Sequence, residues 1–236
     1  MGRTDLTLTA MTALYVIAIS LAAIAIVVLW RRHLKLKREA YIRRYALPRG
    51  LYEKVIQRHP QLTHKDMALV SQGLRQFFLA YLKSGHQFVS MPSQIADDLW
   101  HEFILYTKHY QDFCQQAFGR FLHHTPAVVL RNGSKSNAGL RRCWRYACME
   151  ENIAPRNPSR LPLLFALDAK FDIPNGFRYM PDCGGVRRQG EQSANSGTVY
   201  CGGDFSDSSI DGNTDGLDDA GSDGGGDGGG CGGGGD

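Results

Sequence analysis

The sequence predicts an all-α protein: a single N-terminal transmembrane helix, a compact bundle of about six helices, and a disordered Gly/Asp-rich C-terminal tail. Three observations carry that expectation. Leu6 to Trp30 runs for 25 residues without a charged side chain. From Leu51 to Phe171 apolar residues recur every three or four positions, the period of helices packed on one face. After Asp182 the composition turns to Gly, Asp and Ser, which bury too little apolar surface to offset their ordering entropy. The expected units are an anchor at 1–30, a basic juxtamembrane helix at 31–47, a helical domain at 48–182 and a tail at 183–236.

The apolar stretch comes first. At 1.5 Å per residue it covers a hydrocarbon core of roughly 30 Å. A cleaved signal peptide would carry an apolar region of about 7–15 residues and then a small-residue cleavage site. This one is longer and runs into Trp30-Arg31-Arg32. Trp30 suits the headgroup level, as interfacial aromatics do. Arg3 alone precedes the segment, whereas Arg31, Arg32, Lys35, Lys37 and Arg38 follow it. The positive-inside rule then places the protein in the cell membrane, with a short N-terminus outside and the bulk in the cytoplasm.

Charge is distributed unevenly. Ten Lys/Arg against two Glu lie between Arg31 and Arg58, and nine Asp with no basic residue lie between Asp204 and Asp236. A basic collar directly against a membrane is expected to attract anionic lipid headgroups, at about 1 kcal/mol per nearby cation. The six cysteines include no C-x-x-C pair, which excludes a zinc ribbon and a thioredoxin motif. In a reducing compartment they are expected to be thiols.

The remaining elements follow in order. The anchor helix continues through RRHLKLKREAYIRRYAL and stops before Pro48, where the pre-proline restriction disfavours helix. Leu51 to His59 is a short amphipathic helix closed by Pro60. Thr63 with Asp66 resembles a capping box, although Glu or Gln is usual at the second position. The helix it opens spaces Met67, Val70, Leu74, Phe77, Phe78 and Tyr81 along one face, and Gly85 ends it. His64 and His86 read as surface residues. Ser93 caps a segment in which Ile95, Leu99, Phe103, Tyr106, Tyr110, Phe113 and Ala117 make one buried seam, continuous or broken near Thr107. Beyond Gly119, Ser136 or Asn137 caps a helix with Leu140, Cys143, Trp144, Ala147 and Cys148 on one face. Arg141, Arg142 and Arg145 form its opposite face, either solvated or a docking surface. Pro162 suits the first turn of LPLLFALDAKF, after which Phe177 and Tyr179 pack back from an exit strap.

The chemistry concentrates between Pro92 and Pro126, which hold four of the eight histidines: His101, His109, His123 and His124. Asp98, Glu102 and His109 fall on one helical stripe, and Asp97, His101 and Asp112 on its neighbour. An H-E-x-x-H zinc motif fails because Leu105 stands at the second histidine position. A di-iron bundle needs a second acid-x-x-His motif, which is missing. Cys114 borders the buried seam, where thiols are inert. The expectation that survives is a divalent-metal site, zinc or iron, drawn from Asp97, Asp98, His101, His109, His123 and His124, if the turn at Gly119 folds back along the helix. The rival reading makes His101 an architectural partner of a nearby acid. Trp100 and the Arg141, Arg142 and Arg145 face are the candidate contacts for an unidentified protein partner.

The run D-D-L-W-H, the downstream Y-x-x-x-C, the F-G-R-F-L-H-H-T-P turn and the glycine-rich end resemble the glycine-rich domain-containing protein family of plants and bacteria. The resemblance covers roughly Leu51 to Asp182 and, in character, the tail. Some plant members carry a second histidine two places after the first, where this chain has Phe103. Plant relatives are linked to stress responses and suggested to bind RNA. This chain has no RNA-recognition motif of the ribonucleoprotein type, so no nucleic-acid partner is expected.

In the tail, Cys183, Cys201 and Cys231 each begin a Cys-Gly-Gly triplet. Asp211 to Gly216 matches half of a calcium loop, which fails at Asp218 and Ser222. The functional expectation is a membrane-tethered cytoplasmic interaction module. Its rivals are a metal-dependent enzyme built on the Asp/His cluster and a purely structural bundle.

Overall fold

A computed structural model describes residues 3–124, 134–181, 199–201 and 205. Helix α1, Arg3–Arg44, is 42 residues long, about 63 Å at helical rise. Its apolar part, within Leu14–Arg44, is long and apolar enough to cross a membrane, and none of that window is buried against the rest of the chain. Leu14, Ile19, Ile26 and Trp30 are all more than half exposed. It is therefore not a core helix of the bundle.

The last turns of α1 behave differently. Ile42 is fully buried. Tyr41 stacks on Phe113 at 6.0 Å between ring centroids, and Tyr45 lies 4.7 Å from the same ring. On the flank, Arg43 pairs with Glu150, while Lys83 Nζ lies 2.8 Å from Glu150 and 3.8 Å from Glu39. The expected boundary at residue 47 thus cuts through packed structure: the juxtamembrane helix supplies core residues from Tyr41 onward.

Six more helices follow among the described residues, in line with the bundle of about six that the sequence predicts. Helix α2, Leu51–Arg58, buries Leu51 and Val55, one turn apart. Helix α3, His64–Lys83, opens on the Thr63–Asp66 capping box: the Thr63 hydroxyl accepts from the Asp66 N–H at 3.3 Å, and the Asp66 carboxylate accepts from the Thr63 N–H at 2.9 Å. The Thr63 hydroxyl, which also donates to the Asp66 carboxylate at 2.7 Å, and then the Thr63 N–H hold the Asp66 carboxyl below its ordinary range. A shorter acid than usual still closes the box.

Helix α3 is the central post, with buried residues on most of its circumference, and the end of α1 and three of the later helices lean on it. Helices α4, Gln94–Leu105, and α5, Thr107–Phe118, come from the predicted seam, broken at Tyr106 (φ −80°, ψ 59°). Gly119, at φ 70°, ends α5 in the left-handed conformation that glycine adopts without penalty. Helix α6, Ser134–Glu150, buries Cys143, Trp144, Ala147 and Cys148, the predicted face. Helix α7, Leu163–Lys170, begins after Pro162 and crosses α3 closely. A Cβ added at Gly73 would stand 2.6 Å from Leu167 Cδ1 and 3.5 Å from Leu164 Cα. Leu167 Cδ1 is the free end of a flexible side chain, and Ala is favoured over Gly by about 1 kcal/mol inside a helix. Gly73→Ala is therefore expected to change stability by less than about 1 kcal/mol, read as a nearly unchanged melting temperature of the detergent-solubilised chain.

The sequence did not anticipate how α4 and α7 are joined. Asp168, on α7 and 1% exposed, accepts from Ser93 Oγ and Gln94 N–H at 2.7 Å each, from Ile95 N–H at 3.2 Å and from Phe177 N–H at 2.8 Å. One carboxylate caps the start of α4 from another helix and holds the exit strap as well. The strap forms strand β1, Arg178–Met180, paired in parallel with β2, Val199–Cys201, with Tyr179 opposite Tyr200. Phe205 lies 5.6 Å from Trp144 and 6.1 Å from Tyr179. The expectation of a structureless segment from residue 183 therefore does not hold at these points. Phe205 supplies apolar surface that the composition of the whole tail conceals. The calcium-loop half-match, Cys183 and Cys231 lie outside the described residues.

Candidate metal centre

Helix α4 places Asp97 and His101 one turn apart on a single face, where i and i+4 side chains lie one above the other. The third group arrives from beyond α5. The Trp100 indole N–H donates to Tyr110 Oη at 3.2 Å, and the Tyr110 hydroxyl donates to the Leu122 carbonyl at 2.6 Å. Burial pushes the Tyr110 hydroxyl far above its ordinary pKa, so it stays a donor. This relay ties the loop after Gly119 to α4 and brings His124 across Trp100, with ring centroids 4.4 Å apart.

The result is a three-residue group. His124 Nε2 lies 2.9 Å from Asp97 Oδ1, and His101 Nδ1 lies 3.6 Å from Asp97 Oδ2. The two imidazole rings are 4.2 Å apart, and one ligand atom from each residue falls within 4.8 Å of the others. Ligands on a tetrahedral zinc with bonds near 2.0–2.1 Å are separated by roughly 3.3 Å. Small rotations therefore convert these hydrogen-bond distances into coordination distances. His101 is 45% exposed at its side chain while Asp97 and His124 are 16% and 11%, so the group opens to solvent on one side.

The other proposed ligands lie elsewhere. Asp98, the next residue, points toward α2: His59 Nε2 is 2.7 Å from its Oδ2, and the Gln94 side-chain amide donates to its Oδ1 at 3.0 Å. Glu102 faces the same way, with Arg58 at 2.7 Å and Lys54 at 3.8 Å. His109 is exposed on α5 beside Tyr106, and the His123 ring rests on Phe121 at 4.9 Å. The predicted stripe joining Asp98 to His109 does not exist, because the break at Tyr106 interrupts the helical phase. His59 was missed: at the end of a short helix it reads as a terminal residue, and only the acids of α4 opposite it give it a partner.

Trp100 is a core residue rather than a docking residue. It is 3% exposed and packs against Phe77 at 4.9 Å and Phe78 at 5.9 Å. On α6, Arg142 donates to the Phe88 carbonyl, Arg141 is half-buried and Arg145 is exposed, so the basic face is only partly a free surface. Cys114, Cys143 and Cys148 are buried free thiols, and burial pushes each one's pKa up, that of Cys148 to about 12. None is poised as a nucleophile. Among the proposed interfacial residues, Trp30, Arg31, Arg32, Lys35 and Lys37 are exposed, and Arg38 is half-buried against the bundle.

A family model described as UCP032817-like matches residues 37–205. The chain belongs to that family. The match begins one turn before the buried end of α1, encloses Asp97, His101 and His124, and ends at Phe205, so its limits coincide with the packed body. The family's description assigns no reaction, and nothing links it to the glycine-rich domain-containing proteins. No curated protein and no solved structure matches the chain.

Proposed function

We propose that this member of the UCP032817-like family is a single-pass membrane protein whose helical body holds a divalent metal ion, zinc or iron, at Asp97, His101 and His124. The convergence of these three side chains carries the reading. It requires a helix face, a helix break and a tied loop to meet at one point, which a chance pair of surface residues does not. Two imidazoles and one carboxylate suit zinc or ferrous iron, and three protein ligands leave a coordination position free. A bound ion would supply Lewis acidity or an activated water there, and the open side at His101 admits a small ligand. The burial of Trp100 favours this reading over an interaction module, because it removes the aromatic anchor that a docking surface would use.

The anchor is α1, with the N-terminus outside and the body in the cytoplasm. The support is the exposed apolar window and the five cations that follow Trp30. The exposed members of that collar meet anionic headgroups.

The test is a zinc titration of the full chain in nonionic detergent, followed by competition with a chromophoric chelator. One ion per chain is expected, abolished by His101→Ala and unchanged by His109→Ala. Equal zinc binding by the wild type and His101→Ala would remove the site.

A further inference from the structure

Where α1 meets the bundle, three cations gather around one histidine. The Arg38 guanidinium lies over Gly119, so that a Cβ added there would stand 2.3 Å from Nη2. Arg120 is the next residue, and Lys35 precedes Arg38 by nearly one turn on the same face of α1. Phe118 lies edge-on to His86 at 6.3 Å, and Tyr81 packs against the same ring at 5.2 Å. His86, read from sequence as an ordinary surface residue, is half-buried and held at φ 66°. Its Nε2 is hidden from solvent and has no hydrogen-bond partner among the described residues. Burial lowers its pKa, and the charges of Arg120, Arg38 and Lys35 lower it further.

No described carboxylate pairs with Lys35, Arg38 or Arg120. The acids at this junction, Glu39, one turn beyond Lys35 on the same face of α1, and Glu150, pair with Arg43 and Lys83. Attraction to the carbonyl end of α5 accounts for Arg38. It does not account for Arg120 and Lys35, whose charges act on the same ring, an arrangement that repels itself until an anion enters it.

Its height along α1 identifies the anion. Lys35 and Arg38 follow Trp30 by five and eight residues, about 7.5 and 12 Å of helix. A headgroup layer is roughly 5–8 Å deep on each side of a bilayer. The cluster thus sits at the layer's edge and just beyond it, within reach of a phosphate that ends a headgroup rather than one covered by choline.

We propose that Lys35, Arg38, Arg120 and His86 form a binding site for the terminal phosphate of an anionic lipid headgroup. The site rests on the reading of α1 as the anchor and is independent of the metal centre. Phosphate binding offsets the field of the three cations, so His86 takes up a proton more readily when the site is filled.

The experiment uses the full chain in mixed micelles carrying phosphatidic acid or phosphatidylcholine, with lipid retention read by native mass spectrometry and His86 titration by imidazole NMR. Phosphatidic acid is expected to be retained preferentially and to move the His86 titration to higher pH. Each lost cation should weaken retention about fivefold, so Lys35→Gln gives that loss and R38Q/R120Q about 30-fold. Lys35 is exposed, so its variant keeps the test valid if the double variant is unstable. Equal retention of the two lipids by the wild type, or unchanged retention in Lys35→Gln, overturns the proposal. Displacement of phosphatidic acid by millimolar inorganic phosphate, with the same shift at His86, would overturn the lipid assignment. Carbonate extraction of membranes separates the two readings: release of the wild type removes the anchor, whereas a retained chain with no lipid preference removes only this site.

Discussion

Asp168→Ala is expected to lower stability by about 4 kcal/mol, the largest effect of any single change considered. The substitution leaves the Ser93 hydroxyl and the N–H groups of Gln94, Ile95 and Phe177 without their acceptor, in a place where water has little access. Each buried donor left unmatched costs about 1–3 kcal/mol. Part of that sum is offset because the variant no longer has to desolvate a carboxylate. For a body of this size the melting temperature should fall by about 12 °C. Asp168→Asn, which keeps one acceptor oxygen, should fall about half as far. The check is thermal unfolding of the solubilised chain followed by circular dichroism. A change within about 1 °C would mean that the carboxylate is not what holds the start of α4.

The second expectation separates two neighbours. Asp97→Ala should weaken zinc binding by more than about 100-fold, since even loss of an outer partner of a metal ligand costs 10–100-fold. Asp98→Ala should leave zinc affinity within about threefold, because its side chain is held by His59 and Gln94 on the other flank of α4. It should instead cost about 1 kcal/mol of stability by stranding His59. Chelator competition measures the first quantity and thermal unfolding the second. If both acids affect zinc equally, the assignment of Asp97 alone to the centre is wrong.

The contrast between these acids shows what the sequence could and could not convey. That Asp97 and His101 share a face follows from helical spacing, and the return of His124 was legible in Gly119 and the His-His pair. The choice among six candidate ligands was not legible. It depends on the helical phase lost at Tyr106 and on the partner that α2 offers Asp98, and both are set by tertiary packing. Asp168 was illegible for a related reason. A lone acid in LPLLFALDAKF reads as the solvent-facing position of an apolar helix, and only the arrival of Ser93 from a distant segment gives it donors. The helices themselves were legible because capping residues and apolar periodicity are local. Their starts were less so: α6 begins at Ser134, ahead of the predicted cap at Ser136 or Asn137, and Pro162 stands just before α7 rather than in its first turn. At the start of the tail, composition averaged over a long segment hid the few residues that pack.

Because α1 passes into the folded body without a hinge, the body has no swivel. Adding one residue between Trp30 and Glu39 would turn everything beyond it by 100° and raise it by about 1.5 Å. With α1 as the proposed anchor, bearing and altitude above the lipid plane would follow from the length and tilt of this one helix, and the opening at His101 would keep a single compass direction.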